Sequence, residues 1–244
     1  CSVAAILLAA SAAVAAEPAV GVVCNVKVLS DKVPDVSSLA AWKESFIREG
    51  MTDKEKALAI WQSVVAFQHQ DGPPLEFLQR EDTVLDAMKI FNVYGYSFCG
   101  VAASHVEALA RYAGLQARGW TIDRHIVAEV SWDAKWHLLD ASLINYFPQA
   151  GGDLAGVEEI VAGVKAWYDK HPTLRKNDAE LRKFMASGGW KANGPAVLSE
   201  CPFYDARGWL PAATHGWYST MQEYDGSTLF AYESGYSVGY RVNV

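Results

Sequence analysis

Hydrophobic residues in the first half of the chain recur with the spacing of amphipathic helices. Residues 38–48 predict a short helix. A clearer one follows Thr52 and Glu55, a capping box in which each side chain satisfies a backbone N–H group of the first turn. Apolar residues then recur three and four apart as far as Phe67, so one face of this helix should be buried.

Two further helices are predicted before the pattern changes. Residues 83–91 favour a short helix, and residues 97–112 favour a long one with a continuous apolar face. Ser97 is the expected N-cap of the long helix, because its hydroxyl can accept hydrogen bonds from the first backbone N–H groups. Gly114 is the expected stop, because glycine readily adopts the left-handed conformation that ends helices.

The hydrophobic period then changes to two, which indicates strands. Gln116–Ile122 is predicted to form one strand. His125–Trp132 and residues 135–140 are predicted to form a hairpin around Asp133 and Ala134. Ala134 is a weak turn residue, because tight hairpin turns require positive φ angles that alanine disfavours.

The remainder of the chain is predicted to contain one more helical region and a strand-like end. Residues 157–186 have a helical pattern with charges on one face, a glycine-rich stretch follows at 187–194, and residues 202–244 are aromatic-rich and strand-like. The alternating pattern runs up to the last residue, so we expect the native protein to continue.

The N-terminal segment resembles a secretory leader. Residues 2–16 are small and apolar and end in Val14-Ala15-Ala16, which is typical of a signal peptide cleaved after Ala16. The charged start of such a leader is missing, so we interpret it as truncated. A buried alanine-rich helix and a membrane anchor are the alternatives. A leader predicts an extracytoplasmic protein, periplasmic or secreted.

These patterns together give a predicted domain organisation. It comprises a leader at 1–16, a lead-in segment at 17–51, a core with a helical extension at 52–186 and a β-type C-terminal region at 187–244.

Composition excludes several classes of function. The chain has 244 residues, of which 51% are hydrophobic and 20% charged, as in a globular protein. The net charge of −7 and the absence of a basic block argue against nucleic-acid binding. No long apolar run follows the leader, so no integral membrane domain is expected. No metal or nucleotide motif occurs, so no cofactor is predicted. The sequence does not determine the oligomeric state.

Cys99 is the first candidate for chemistry, since it lies at the start of the predicted long helix. Backbone N–H groups and the helix dipole at that position stabilise a thiolate, which is the form in which a cysteine acts as a nucleophile. A buried structural cysteine is the alternative interpretation.

The predicted hairpin supplies two partners for Cys99. If Trp132 pairs with Lys135 across a two-residue turn, His125 and Asp140 become diagonal neighbours on one face of the sheet. A carboxylate at that position can orient an imidazole. The same register places His137 on the opposite face, where we expect it to be either structural or exposed. Glu129 shares the His125 face, either as a supporting group or as a half-exposed strand carboxylate.

Three segments resemble the core of the transglutaminase-like superfamily. They are Tyr94-Gly-Tyr-Ser-Phe-Cys99-Gly, the helix end at 109–119 with its Ala-Gly-Leu-Gln-Ala-Arg run, and the hairpin at 125–140. The resemblance covers residues 52–145. It implies a papain-like α+β fold, in which a helix that bears Cys99 packs on an antiparallel sheet that bears His125 and Asp140.

The resemblance also implies acyl-transfer chemistry on amides of a protein or peptide substrate. Cys99 would be the nucleophile, His125 the general base and then acid, and Asp140 the group that orients His125. We expect hydrolysis of a peptide or glutamine amide through a thioester. The alternatives are a catalytically silent module for protein binding or cell-surface architecture, and an acyltransferase with an amine acceptor.

Two details follow from this assignment. Gln68, His69 and Gln70 lie where a second oxyanion donor is expected, although each also suits an ordinary polar position at a helix end. If Cys99 stays free and Cys1 leaves with the leader, Cys24 and Cys201 are the expected disulfide pair.

Overall fold

The computed structural model describes residues 29–75, 84–122, 125–174, 179–180, 183, 187 and 230–232. The predicted leader and both cysteines of the expected disulfide lie outside these residues, as do the glycine-rich stretch after residue 187 and all of the strand-like region 202–244 except 230–232.

The described residues form six strands and five α-helices. In chain order the elements are α1 (Leu39–Phe46), α2 (Asp53–Phe67), β1 (His69–Gln70), α3 (Ala87–Lys89) with a π-helical turn (Ile90–Tyr94), β2 (Tyr96–Ser97), α4 (Cys99–Tyr112), β3 (Gln116–Ile122), β4 (His125–Trp132), β5 (Lys135–Leu139), α5 (Val157–Lys170) with a 3₁₀ turn (Pro172–Leu174), and β6 (Phe230–Tyr232).

Helices and two small sheets make up a mixed α+β arrangement, as the sequence predicted at that level. The larger sheet is antiparallel with strand order β5-β4-β3-β6, and α4 packs against β3 and β4. Helix α2 packs on α4, and Trp42, Ile60 and Leu109 are among the largest buried side chains between the helices. The smaller sheet pairs β1 with β2 in parallel.

The capping box and the hairpin register are confirmed. The Glu55 carboxylate accepts from the Thr52 backbone N–H, and the Thr52 side chain accepts from the Glu55 N–H. Trp132 pairs with Lys135 across a two-residue turn. Asp133 and Ala134 both have positive φ, 51° and 59°, so the turn has the primed geometry that suits the twist of a hairpin.

Three helix predictions need correction. Ser97 does not cap α4: it is the second residue of β2, and Phe98 occupies the cap position without a side-chain hydrogen bond. The helical region predicted at 157–186 is interrupted. Helix α5 ends at Lys170, because Pro172 cannot donate to a continuing helical ladder, and residues 179, 180 and 183 are helical again. The helix predicted at 83–91 begins later, at Ala87, after its N-cap Asp86.

Buried polar groups join the layers. Glu129 is fully buried and accepts from Arg118, Trp120 and the backbone N–H of Val157, so it links the sheet to the start of α5. It is therefore not the half-exposed carboxylate that the sequence allowed as one alternative. His105 lies within α4 and its two ring nitrogens approach the Gln68 side chain and the Leu85 carbonyl.

Candidate active site

Cys99 is the first residue of α4, and only 9% of its surface is exposed. The prediction that this cysteine begins a helix is confirmed. Val101 and Ala102 donate to the Phe98 carbonyl. The N–H groups of Cys99 and Gly100 belong to the first turn, where a helix supplies no internal acceptor. The positive end of the helix dipole therefore lies beside Cys99 and favours negative charge there.

His125 brings the other two candidate residues together. It is the first residue of β4 and is buried, and its Nε2 lies 2.7 Å from Oδ2 of Asp140, which is also buried. The Cys99 side chain lies close enough to the same ring to raise the pKa of His125. Cys99, His125 and Asp140 therefore meet where the N-terminus of α4 faces the open end of the β4–β5 hairpin.

A tight turn after β5 holds the Asp140 carboxylate in place. The β4–β5 ladder ends at Ala128 and Leu139, and Asp140 instead exchanges two backbone hydrogen bonds with Asn145, at 2.9 and 2.8 Å. The Leu143 N–H donates to Asp140 Oδ1 at 3.0 Å, and the Trp61 indole donates to the Asp140 carbonyl at 2.9 Å. Oδ2 is thereby directed to His125 while Oδ1 is held by the turn.

The surroundings of His125 favour the imidazolium form. Burial opposes the charge, but the Asp140 carboxylate, its hydrogen bond and the Cys99 side chain outweigh burial and raise the pKa of His125 to about 9. A comparison with His105 shows that the adjacent carboxylate determines the direction in which the pKa of His125 changes. Burial lowers the pKa of His105 to about 4, against the opposing effects of the Leu85 carbonyl and Asp86. Of these two buried histidines, the one with a carboxylate in direct contact has the raised pKa.

Of the three residues considered for a second oxyanion donor, Gln70 is the one whose strand partner lies nearest to Cys99 in the chain. Gln70 pairs with Ser97, two residues before Cys99, and its Oε1 accepts from the Ser142 hydroxyl at 2.6 Å. This bond fixes the amide and makes Nε2 its donor end. Gln68 is buried against His105, and His69 is exposed.

His137 lies apart from the three residues, as the predicted register requires. It pairs with Val130, is fully buried and stacks on the Trp132 ring at a centroid distance of 3.5 Å. Its ring nitrogens approach the carbonyl oxygens of Leu154 and Trp132 at 2.6 and 3.3 Å. Of the two alternatives for this residue, structural and exposed, the structural one is correct.

Sequence reasoning missed the residues that fix Asp140 and Gln70. The spacing of apolar residues places Trp61 on the buried face of α2 but does not indicate its contact with Asp140. No sequence pattern indicates a role for Ser142. Both contacts join residues that are far apart in the chain. Trp61 and Asp140 are 79 residues apart, and Gln70 and Ser142 are 72 residues apart. No local spacing indicates such pairs.

Within the described part of the chain, no group of three or more His, Cys, Asp or Glu side chains is arranged to hold a metal ion. Among the described helices, none combines the length and apolar character that crossing a bilayer requires.

Comparison with known proteins gave no match to a protein-family model, a curated protein or a solved structure.

Proposed function

We propose that this chain is a thiol-dependent acyl-transfer enzyme of the transglutaminase-like type, built on a papain-like core. The observation that carries the proposal is the buried His125–Asp140 hydrogen bond of 2.7 Å, with Cys99 acting on the same imidazole from the first turn of α4. A nucleophile, a proton carrier and an orienting carboxylate are the three roles that such chemistry needs. The substrate is a peptide or glutamine amide, and water is the final acceptor.

The first half of the reaction forms a thioester. The Cys99 thiolate attacks the amide carbonyl carbon, and the carbonyl oxygen takes up negative charge beside the Cys99 N–H and the Gln70 amide. Each such donor typically contributes about 3–4 kcal/mol to the transition state. As the C–N bond breaks, the His125 imidazolium gives its Nδ1 proton to the departing nitrogen. Asp140 holds Nε2 throughout, so the ring presents Nδ1 in both directions of proton transfer.

The second half returns the enzyme to its starting state. Neutral His125 takes a proton from water, the hydroxide attacks the thioester, and the C–S bond breaks to give the carboxylic acid and the Cys99 thiolate. With an amine in place of water the product is a new amide. Nothing in the described residues supplies a dedicated amine site, which favours hydrolysis.

Activity of the Asp140→Asn variant tests this proposal. Asparagine keeps the size of the side chain but presents an amide to His125, and by analogy with other triads turnover should fall about 10⁴-fold. The assay is ammonia release from glutamine peptides together with cleavage of a mixed peptide library. Asp133→Asn, an exposed carboxylate at the hairpin turn where asparagine is well tolerated, is the matched control and should keep full activity.

Two outcomes would contradict the proposal. Equal turnover by Asp140→Asn and the parent would remove Asp140 from the mechanism. No turnover by the parent on either substrate set, together with a Cys99 thiol that reacts no faster than free cysteine, would favour the silent binding module.

A further inference from the structure

A cavity of about 500 Å³ is lined by residues that neighbour the candidate catalytic segments, although Cys99, His125 and Asp140 are not among its lining residues. It lies between the C-terminal end of α2, β1 and the turn after β5. Two of its lining residues connect it to the site: Gln70 lies beside Ser97 in the small sheet, and Ser142 follows Asp140 by two residues. The hydrogen bond between them closes this part of the wall. The volume is within the range of cavities that bind small ligands.

The chemistry of the wall selects for an uncharged group. Val65, Phe67, Phe91 and Ile144 supply apolar surface, and the described lining residues include no Asp, Glu, Lys or Arg. The polar side chains of the wall are those of Gln68, His69, Gln70 and Ser142. A charged side chain that entered would lose water without gaining a counter-ion, which is strongly unfavourable. An apolar side chain would instead gain from removal of its surface from water.

Ile144 is the residue of this wall whose backbone stands out. Its φ is +54°, a left-handed conformation that β-branched residues rarely adopt. The two backbone hydrogen bonds between Asp140 and Asn145 enclose it and enforce that conformation. Strain of this kind persists where the surrounding structure over-determines it, and it concentrates at functional sites. Glycine or asparagine would adopt this conformation with less strain. The presence of isoleucine therefore points to a role for its side chain.

We infer that this cavity receives an uncharged, apolar side chain of the substrate next to the amide that Cys99 attacks, and that Ile144 determines this specificity. The inference rests on the proposed function and adds the substrate class to it. The same turn that directs Asp140 to His125 places Ile144 in the cavity wall, so recognition and chemistry share one short segment.

Alkylation of Cys99 by matched probes tests the inference without a known substrate. The probes are iodoacetamide itself and iodoacetamides whose nitrogen carries a phenethyl arm or an arm of equal length ending in a carboxylate or an ammonium group. Rates are quantified by mass spectrometry on the tryptic peptide 90–111, which contains only this cysteine, and are divided by the rates with free cysteine. The phenethyl probe should react at least about tenfold faster than iodoacetamide, and the charged probes should show no such gain.

Ile144→Asn distinguishes recognition from a structural role, because asparagine tolerates the left-handed conformation. This variant should lose most of the preference for the phenethyl probe over iodoacetamide, at least about fivefold. Because the preference is a ratio of two rates in the same variant, a general change in Cys99 reactivity does not alter it. Val33→Asn, at an exposed apolar position outside the cavity, should keep the preference.

The other outcomes distinguish failure of this inference from failure of the proposed function. Equal gains for apolar and charged probes, or an unchanged preference in Ile144→Asn, would overturn the inference while the proposed function stands. A Cys99 that reacts with iodoacetamide no faster than free cysteine would overturn the proposed function, and the inference with it.

Discussion

At the scale of single residues, the proposed acyl transfer depends on the positive charge of the His125 imidazole. A buried imidazole is ordinarily neutral, and His105 behaves in that way. His125 differs because the Asp140 carboxylate lies 2.7 Å from its Nε2 and Cys99 acts on the same ring. An imidazolium can protonate a departing amine, so in the proposed reaction His125 supplies the proton that the leaving nitrogen needs.

This charge makes the stability of the protein depend on pH in a defined window. The pKa of His125 rises from 6.5 in the unfolded chain to about 9 in the folded protein. Its stabilising contribution is therefore fully present below pH 6.5 and is lost as the pH rises through about 9. This change in pKa corresponds to a contribution on the order of 3 kcal/mol to the free energy of unfolding.

Urea unfolding of the parent and of His125→Gln, at pH 6 and at pH 10, measures this contribution. The difference in unfolding free energy between the two proteins should be large at pH 6 and should shrink at pH 10. A difference that is equal at the two pH values, or that grows with pH, would mean that His125 is not charged in the folded protein.

At the scale of elements, the position of α4 on the sheet sets the distance between Cys99 and His125. Glu107 of α4 is buried and lies directly over Gly119 of β3. A Cβ atom at Gly119 would stand 2.5 Å from Oε1 of Glu107, which is closer than real contacts allow. Glycine at this position therefore leaves room for the buried Glu107 carboxylate, whose other oxygen accepts from Arg111.

Gly119→Ala should destabilise the protein by about 1–3 kcal/mol, because the added methyl group over-packs a buried contact. Gly72→Ala is the matched control: no atom lies within 4 Å of a Cβ built there, and its backbone is not left-handed. The control should change stability by less than about 0.5 kcal/mol. Urea unfolding checks both, and equal effects of the two substitutions would show that α4 does not depend on Gly119 for its approach to β3.

Features that depend on neighbouring residues were predicted well from the sequence. The capping box at Thr52 and the hairpin register follow from local patterns, and both were confirmed. The predicted cap at Ser97 was wrong because a tertiary contact overrides the local preference: pairing with Gln70 holds Ser97 extended in β2. Pro172 interrupts the helical region predicted at 157–186, and the charge pattern on which that prediction rests does not take this local stop into account.

At the scale of the whole molecule, the candidate site is assembled from segments that are far apart in the chain. Cys99 comes from α4, His125 and Asp140 from the hairpin, and Gln70 from the segment after α2. The sequence suggested the first three residues through hairpin geometry and a family resemblance. It did not indicate the cavity or Ile144, because their positions depend on how α2, β1 and the turn after β5 meet.

The central claim is that Cys99, His125 and Asp140 act as one unit, and the pH dependence of Cys99 alkylation tests it most directly. Iodoacetamide rates on peptide 90–111 are measured from pH 5 to pH 10 in the parent, His125→Ala and Asp140→Asn proteins, with folding checked by circular dichroism. In the parent the rate should already be high at pH 6, because the imidazolium stabilises the thiolate. In His125→Ala it should rise only near pH 8.5, as for an ordinary thiol, and Asp140→Asn should also lose the fast reaction at pH 6. Coincident profiles for the three folded proteins would contradict the claim.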